Sequence, residues 1–290
     1  MVVTVFSTAF DVIDHDILIY KLKKYGFSRL ALDWMWSYLT DRSQRVFFNG
    51  TLSESKYNKC GVPQGSCLGP LLFIIFTNDL PYVTTNTDMV MYADDTTLYS
   101  TADTLHELED NLNQDLVRVS NWVKDNKLAL NVTKTKSIIF RSRYMRMSDP
   151  QMHLSMSGIP IEQVSRIKLL GVFLDSHLSW SDQIDCIITK MGRGLAMVKK
   201  CSSYLTSTVM GQVIQSLVFC HLYYCPVVWS AATKVELSKL QLVQNRAARL
   251  CLHCSTRTNV AYMHAQLTWL SVEQKLNCSL LMFFQKRHCK

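Results

Sequence analysis

Acidic residues are what this sequence runs short of, and only in one part. Residues 186–290 hold two acids against 13 Lys and Arg, a balance of +11, whereas residues 1–185 hold 21 acids against 18 bases, a balance of −3. The net charge of +8 hides that asymmetry. A cationic surface with so few acids is the footprint of a phosphate-backbone binder, although an anionic membrane or plain solubility would also suit it. A spanning helix is not on offer: the longest apolar stretch, Val213 to Trp229, is broken by Gln215, Ser216, His221 and Pro226 and reads as a buried helix. Ten cysteines fall at no framework spacing, and no basic, cleavable leader opens the chain, so reduced thiols in an intracellular setting are expected rather than disulfides. Without such a leader the glycosylation pattern at Asn131 carries no weight. Repeats, low-complexity tracts and the glycine fingerprint of dinucleotide sites are also lacking.

What is present is enough for a sizeable core. The 290 residues are 48% hydrophobic, which suits two domains or one elaborated domain. Within "MYADDTTLYS" (91–100), Asp94 and Asp95 stand side by side between two runs of strand-forming residues, at what reads as a hairpin tip. An Asp pair in a turn is often no more than turn chemistry. On a rigid tip, however, two carboxylates repel each other, and a divalent cation with hard oxygen preferences, such as Mg²⁺, relieves the repulsion.

The surrounding pattern suggests an α+β fold, a sheet with helices on one face. Residues 14–27 read as a capped helix ending at Gly26, and 45–57 as two strands joined at Asn49-Gly50. Gly61 to Pro70 packs three glycines and two prolines into ten residues, a loop whose backbone can approach a ligand. Leu105, Leu108, Leu112, Leu116, Val119, Trp122 and Val123 recur at helical steps, and the Leu128, Leu130, Val132 alternation then predicts a strand. Beyond Trp180 the chain turns helical and basic. On the helix expected at 236–252, Leu237, Leu240, Val243, Ala247 and Leu250 share one face, with Lys239, Arg246 and Arg249 toward the other. With few acids to balance those bases, a polyanion partner is favoured over a merely solvated face. Cys251 and Cys254 have a zinc-like spacing with His264 nearby, but no second pair follows, so small buried thiols are the preferred reading.

Four stretches, "GVPQGSCLGPLLF" (61–73), "YADD" (92–95), "NKLALNVTKTK" (126–136) and "KLLGVFLD" (168–175), together with "FSTAFDVIDHDIL" near the start, resemble the reverse transcriptases of non-LTR (LINE-type) retrotransposons, in particular the jockey-like group. The resemblance implies a polymerase palm over 1–175, an antiparallel sheet with helices on one face, followed by a basic, helical thumb-like region over 176–290. Met1 then falls inside a palm strand, with the polymerase fingers and an upstream endonuclease missing. The implied activity is RNA-directed DNA synthesis with two Mg²⁺ ions, an RNA template, a DNA primer and deoxynucleoside triphosphates. No membrane is implied, and the nucleus is the setting such elements use.

The implied roles can be placed residue by residue. Asp94 is a direct ligand of the catalytic Mg²⁺ ions and Asp95 supports the same metal and catalytic site, while Tyr92 beside them belongs to the nucleotide- and template-binding set. Gly61, Pro63, Gln64 and Gly65 lie against the template and incoming nucleotide. Phe10 is the gate that collides with a ribose 2′-hydroxyl. Lys134 is a candidate general acid to pyrophosphate, Gly171 and Val172 match the primer grip, and Lys239, Arg246 and Arg249 would meet the nucleic-acid backbone.

One position departs from the family. Before "STAFD" such proteins place an acid that is the other obligatory metal ligand, and here Val5 takes that place. Six residues of strand span about 20 Å, so Asp11 cannot stand in for it. The copy is therefore expected to be an impaired polymerase, a rate drop of about a thousandfold or more. The alternative is a nucleic-acid-binding remnant without catalysis.

Overall fold

The computed structural model describes residues 1–142 and 150–288. They divide into two compact units, one formed by Met1–Ile139 with the described residues up to Ser165, the other by 140–142 and the described residues from Arg166 to 288. The division falls ahead of residue 175. The hairpin of β12 (Arg166–Leu169) and β13 (Val172–Asp175) belongs to the second unit because Val172 is buried in that unit's core and the Phe173 amide donates to Gln183 at 3.0 Å.

The first unit is built on a five-stranded sheet of β1 (Val2–Val5), β6 (Asp88–Tyr92), β7 (Asp95–Tyr99), β8 (Lys136–Ser137) and β11 (Glu162–Gln163), in the order β11-β8-β1-β7-β6. All pairings are antiparallel except β8 with β11. The expected antiparallel sheet thus gains one parallel edge, because the chain passes through the small hairpin of β9 (Ser155–Met156) and β10 (Ile159–Pro160) and returns alongside β8 in the same direction. Alternation along the strands sends Val2, Leu98, Met89 and Met91 into one apolar cluster. That cluster is completed by α1 (His15–Lys24), α3 (Leu68–Thr77) and α4 (Leu105–Asp125), which contribute Leu18 and Leu22, Leu72, Phe73 and Phe76, and Leu112, Leu116 and Val119. Each such side chain contributes about 1.5–3 kcal/mol on full burial. The helices lie on one face, as the sequence pattern predicts.

Local signals set the ends. Asp14 caps α1 by accepting from the Ile17 amide at 3.0 Å, and Thr104 caps α4 through Glu107 at 3.2 Å. The strand expected over 128–132 is reduced to a single bridge between Phe6 and Leu130. The Asn131 side chain accepts from the Thr133 hydroxyl and the Lys134 amide and winds the chain into a 3₁₀ turn, Val132–Lys134, so pairing resumes only at β8. Between α2 (Arg29–Leu39) and α3 the chain forms an arm: β2 (Ser43–Gln44) pairs with β5 (Lys56–Tyr57), and β3 (Phe47–Phe48) with β4 (Thr51–Leu52).

The second unit is helical after its hairpin. Helices α5 (Ser181–Cys201), α6 (Ser207–Ile214), α7 (Cys220–Leu222), α8 (Lys234–Leu252), α9 (Val260–Leu267) and α10 (Val272–His288) surround a core that includes Ile184, Met191, Phe219, Trp229 and Leu240. The apolar stretch expected as one buried helix to Trp229 is helical only to Leu222, passing through a π-helical turn at Gln215–Phe219. It ends where Cys225 takes a φ of 47° before Pro226. Thr233 and Glu236 form a reciprocal capping box at the start of α8.

Candidate active site

The β6–β7 hairpin closes through Ala93 and Asp94, with Tyr92 opposite Asp95. Ala93 sits at a φ of 53°, as a two-residue hairpin turn requires at its first central position. On the other side of β7, Val5 pairs with Asp95, and the Phe6 amide donates to the Asp94 carbonyl at 3.2 Å. One row therefore crosses three strands: Val5, Asp95, Tyr92. By the two-residue alternation it lies on the face opposite the helices. Both carboxylates are half-buried. Burial, with the adjacent Asp94 charge added, pushes the Asp95 carboxyl above the ordinary carboxylate range.

Residues directly opposite each other in an antiparallel pair have Cα atoms about 4.5–5.5 Å apart, so an acid at position 5 could share a cation with Asp95. Valine offers no oxygen. The Asp11 carboxylate accepts from Gln64 Nε2 at 2.8 Å, and no group of three or more His, Cys, Asp or Glu that could hold a metal occurs among the described residues. Divalent cations such as Mg²⁺ take about six oxygen ligands. The donor set at the hairpin, two neighbouring carboxylates with an apolar third corner, does not fit a pair of ions.

The loop at 60–65 is laced onto residues 10–15. The Val62 amide donates to the Phe10 carbonyl at 2.7 Å, the Gly61 amide to the Ile13 carbonyl at 2.7 Å, and the buried His15 Nε2 to the Gly61 carbonyl at 2.8 Å. Gly61 has a φ of +85° and would place a Cβ 2.7 Å from the Asp11 carbonyl oxygen, so only glycine fits. The Phe10 ring packs on Phe73, centroids 5.0 Å apart. A polar cavity of about 670 Å³ opens beside the loop, lined by Asp11, Arg42, Tyr57, Lys59, Pro63 and Gln64 among others. Sequence reasoning missed Arg42, Lys59 and His15 here, because only the paired strands and the lacing bring them to the loop. Lys134 is exposed on the 3₁₀ turn, three residues after Asn131, whose amide donates to the Val5 carbonyl at 2.9 Å.

In the second unit, Leu170 and Gly171 form the tip of the β12–β13 hairpin with φ of 45° and 84°. The Tyr224 hydroxyl donates to the Leu170 carbonyl at 2.6 Å. Val172 is buried, so its side chain is closed to a primer, whereas Leu170 at the tip is exposed. On α8, Lys239 and Arg246 are exposed and Arg249 half-buried. Arg246 and Arg249 line a cavity of about 580 Å³ with Lys199 and His253, above an apolar floor that includes Leu195 and Val243. Arg249 Nε is buried there without a hydrogen-bond partner. Of the zinc-like set, Cys251 is buried and donates to the Ser207 carbonyl at 3.2 Å, while the His264 ring bonds Asn245 at 3.1 Å. Among the described residues no helix is long and apolar enough to cross a membrane.

An antiparallel palm-like sheet with helices on one face and an Asp-Asp hairpin on the other is the framework of a nucleic-acid polymerase. Residues 1–174 match the family of reverse transcriptases (RNA-dependent DNA polymerases), and the chain belongs to that family. It is similar to the probable RNA-directed DNA polymerase from transposon BS of Drosophila melanogaster, 28% identical over 93% of this chain and 30% of that protein. It is also similar to the RNA-directed DNA polymerase from mobile element jockey of the same species, 28% identical over 83% of this chain and 27% of that protein. The X-element polymerase is 26% identical over 83% of this chain and 27% of that protein. The jockey-like resemblance agrees with these relatives, and the chain spans less than a third of their length. Among solved structures, telomerase from Candida albicans in complex with a TWJ fragment of telomeric RNA superposes with a TM-score of 0.43 at 11% identity, over 92% of this chain and 47% of that one. That likeness is too slight to carry weight.

Proposed function

We propose that this chain is the template-holding and polymerising part of a non-LTR retrotransposon reverse transcriptase whose nucleotidyl-transfer site is one carboxylate short. It holds an RNA template paired to a DNA primer and extends that primer poorly or not at all. The observation that carries this reading is the pairing of Val5 with Asp95. The family's pair of Mg²⁺ ions would need an oxygen where the valine stands, and losing one such ligand removes several kcal/mol of transition-state stabilisation.

The remaining roles follow from the family motifs. Tyr92 and the 61–65 loop, through Gly61, Pro63, Gln64 and Gly65, border the template and the incoming deoxynucleoside triphosphate. The Phe10 ring, braced by Phe73, excludes a 2′-hydroxyl. Exposed Lys134 donates a proton to the departing pyrophosphate. The Leu170–Gly171 tip contacts the primer, in place of the buried Val172 side chain. Lys239, Arg246 and Arg249 meet phosphates, and the cavity that Arg246 and Arg249 share with Lys199 supports the assignment of those two. A second reading, a binding remnant with no catalysis, draws on the same cavity, since holding a polyanion needs no metal ligand.

The test is Mg²⁺-dependent extension of a DNA primer on an RNA template. It compares the natural chain, its Val5→Asp variant, and a variant of Val5→Asp that also lacks both Asp94 and Asp95. Extension by Val5→Asp alone supports the proposal. Extension by the natural chain at the same rate as Val5→Asp overturns it, and hybrid binding without extension by any of the three leaves the binding remnant.

A further inference from the structure

The arm between α2 and α3 touches the site described so far only at its base, in the cavity beside the 61–65 loop, and the rest of it is assigned no role there. It runs from Arg42, whose carbonyl accepts from the Asn58 amide at 2.8 Å, through β2 and β5, and past a bulge that sets Arg45 and Val46 against Ser53, Glu54 and Ser55. Beyond the bulge β3 and β4 lead to a tip at Asn49 and Gly50, φ 46° and 78°. No side chain from 42 to 59 is buried. Phe47 and Phe48, successive in β3 and so on opposite faces, are 69% and 72% exposed, and Tyr57 is 72% exposed. Val46 and Leu52 are exposed as well. A two-stranded hairpin without a buried face is marginal in water, so apolar residues on both faces point to an occupant.

Charge selects the occupant. The arm carries Arg42, Arg45, Lys56 and Lys59 against Glu54 alone, in a half of the chain whose balance is negative. None of these four cations makes an ion pair among the described residues. Flat aromatic faces interleaved with unpaired cations match stacked bases and their phosphates, and a duplex, whose base faces are already covered, could not use the rings. A second protein copy would bring the same positive charge against itself. The base of the arm lines the cavity shared with Pro63 and Gln64, so the surface continues directly into the loop assigned to the template.

We infer that this arm is a stacking platform for the unpaired segment of the template strand. The inference rests on the reading that the chain holds a template–primer hybrid. Bases of the single strand, passing round the ribbon, stack on Phe47 on one face and Phe48 on the other and on Tyr57 nearer the base, while Arg42, Arg45, Lys56 and Lys59 track the backbone into the 61–65 loop.

The experiment measures binding, by fluorescence anisotropy across a salt series, of an RNA–DNA hybrid with a single-stranded 5′ RNA overhang and of the same hybrid made blunt. Phe47→Ala/Phe48→Ala is expected to lose tenfold or more in affinity for the overhang hybrid with little change for the blunt one. Phe47→Leu/Phe48→Leu, which keeps apolar bulk but removes the flat faces, should behave alike. Arg45→Ser/Lys56→Ser should flatten the overhang hybrid's salt slope by about 1.4, two phosphate contacts at about 0.7 each for a single strand. If the blunt hybrid binds and the overhang adds nothing, or the aromatic variants weaken both hybrids equally, the platform is overturned while the proposed function stands. If neither hybrid binds the natural chain, the proposed function falls and the platform with it. Self-association abolished by the aromatic changes, with overhang binding unaltered, would overturn the platform and make the arm a contact between copies.

Discussion

Val5 and Asp95 stand directly opposite each other across the ladder between β1 and β7, on the face the helices leave open. An acid introduced at position 5 would meet Asp95 at cross-strand distance without any backbone movement. Val5→Asp is therefore expected to gain a divalent-cation dependence that the natural chain lacks, seen as a rise in melting temperature on adding Mg²⁺ or Mn²⁺. Primer extension should increase about a thousandfold or more alongside it. A variant whose melting ignores both ions would remove the missing-ligand argument.

Asp95 is held above the ordinary carboxylate range by burial and by Asp94. A raised carboxyl contributes stability that is fully present below its unfolded value and lost as pH rises through the folded one. At pH 7 Asp95 is thus a burden, and Asp95→Asn should melt slightly higher than the natural chain. That advantage should close as pH falls through the carboxylate range. Thermal melts at pH 7 and pH 4 give the comparison, and a variant less stable at both would contradict it.

Asp115 behaves in the opposite sense. It is fully buried, and burial alone would raise its pKa. The Thr87 hydroxyl at 2.8 Å, the Asn86 and Thr85 amides and the Arg118 guanidinium instead hold it below the usual range. Its contribution is present above the ordinary carboxylate pKa and fades as pH falls through the lowered one. Asp115→Ala strands these donors and should cost about 3 kcal/mol at pH 7, a drop of roughly 6–12 °C in the first unit's melting. Asp115→Asn should flatten the acid limb of the stability profile.

Gly171 has a φ of +84° and its absent Cβ would lie 3.3 Å from Tyr224 Cε1. Gly171→Ala should destabilise the second unit by about 1–2 kcal/mol in denaturant melts. Tyr224→Phe, which removes the donor to Leu170, should cost about 1 kcal/mol. Equal midpoints for natural chain and Gly171→Ala would show that the tip relaxes freely.

The hairpin tip at Asp94, the cap at Asp14, the Asn49-Gly50 turn and the long helix α4 were all legible in the sequence, because each is written in local residue chemistry or helical spacing. The same holds for the apolar face of α8. What escaped is long-range. Nothing local says that Asp115 ties α4 to the Thr85–Thr87 segment, or that Arg42 and Lys59 border the 61–65 loop. The parallel β8–β11 edge and the transfer of the β12–β13 hairpin to the second unit also depend on which surfaces meet. The strand expected at 128–132 failed for a local reason with a stronger competitor, the Asn131 side chain that turns the chain early.

β1 is an interior strand, paired on one side with β7 and on the other with β8, and its last residue is fixed by main-chain bonds to Asn131 and, through Phe6, to Asp94. None of those bonds involves the side chain at position 5. Valine is moreover a better strand former than aspartate, and it sets no third charge beside the Asp pair. On the function proposed above, an acid at position 5 would serve copying while valine serves the sheet, so Val5→Asp must run uphill in stability, with no metal present, before it gains anything in catalysis.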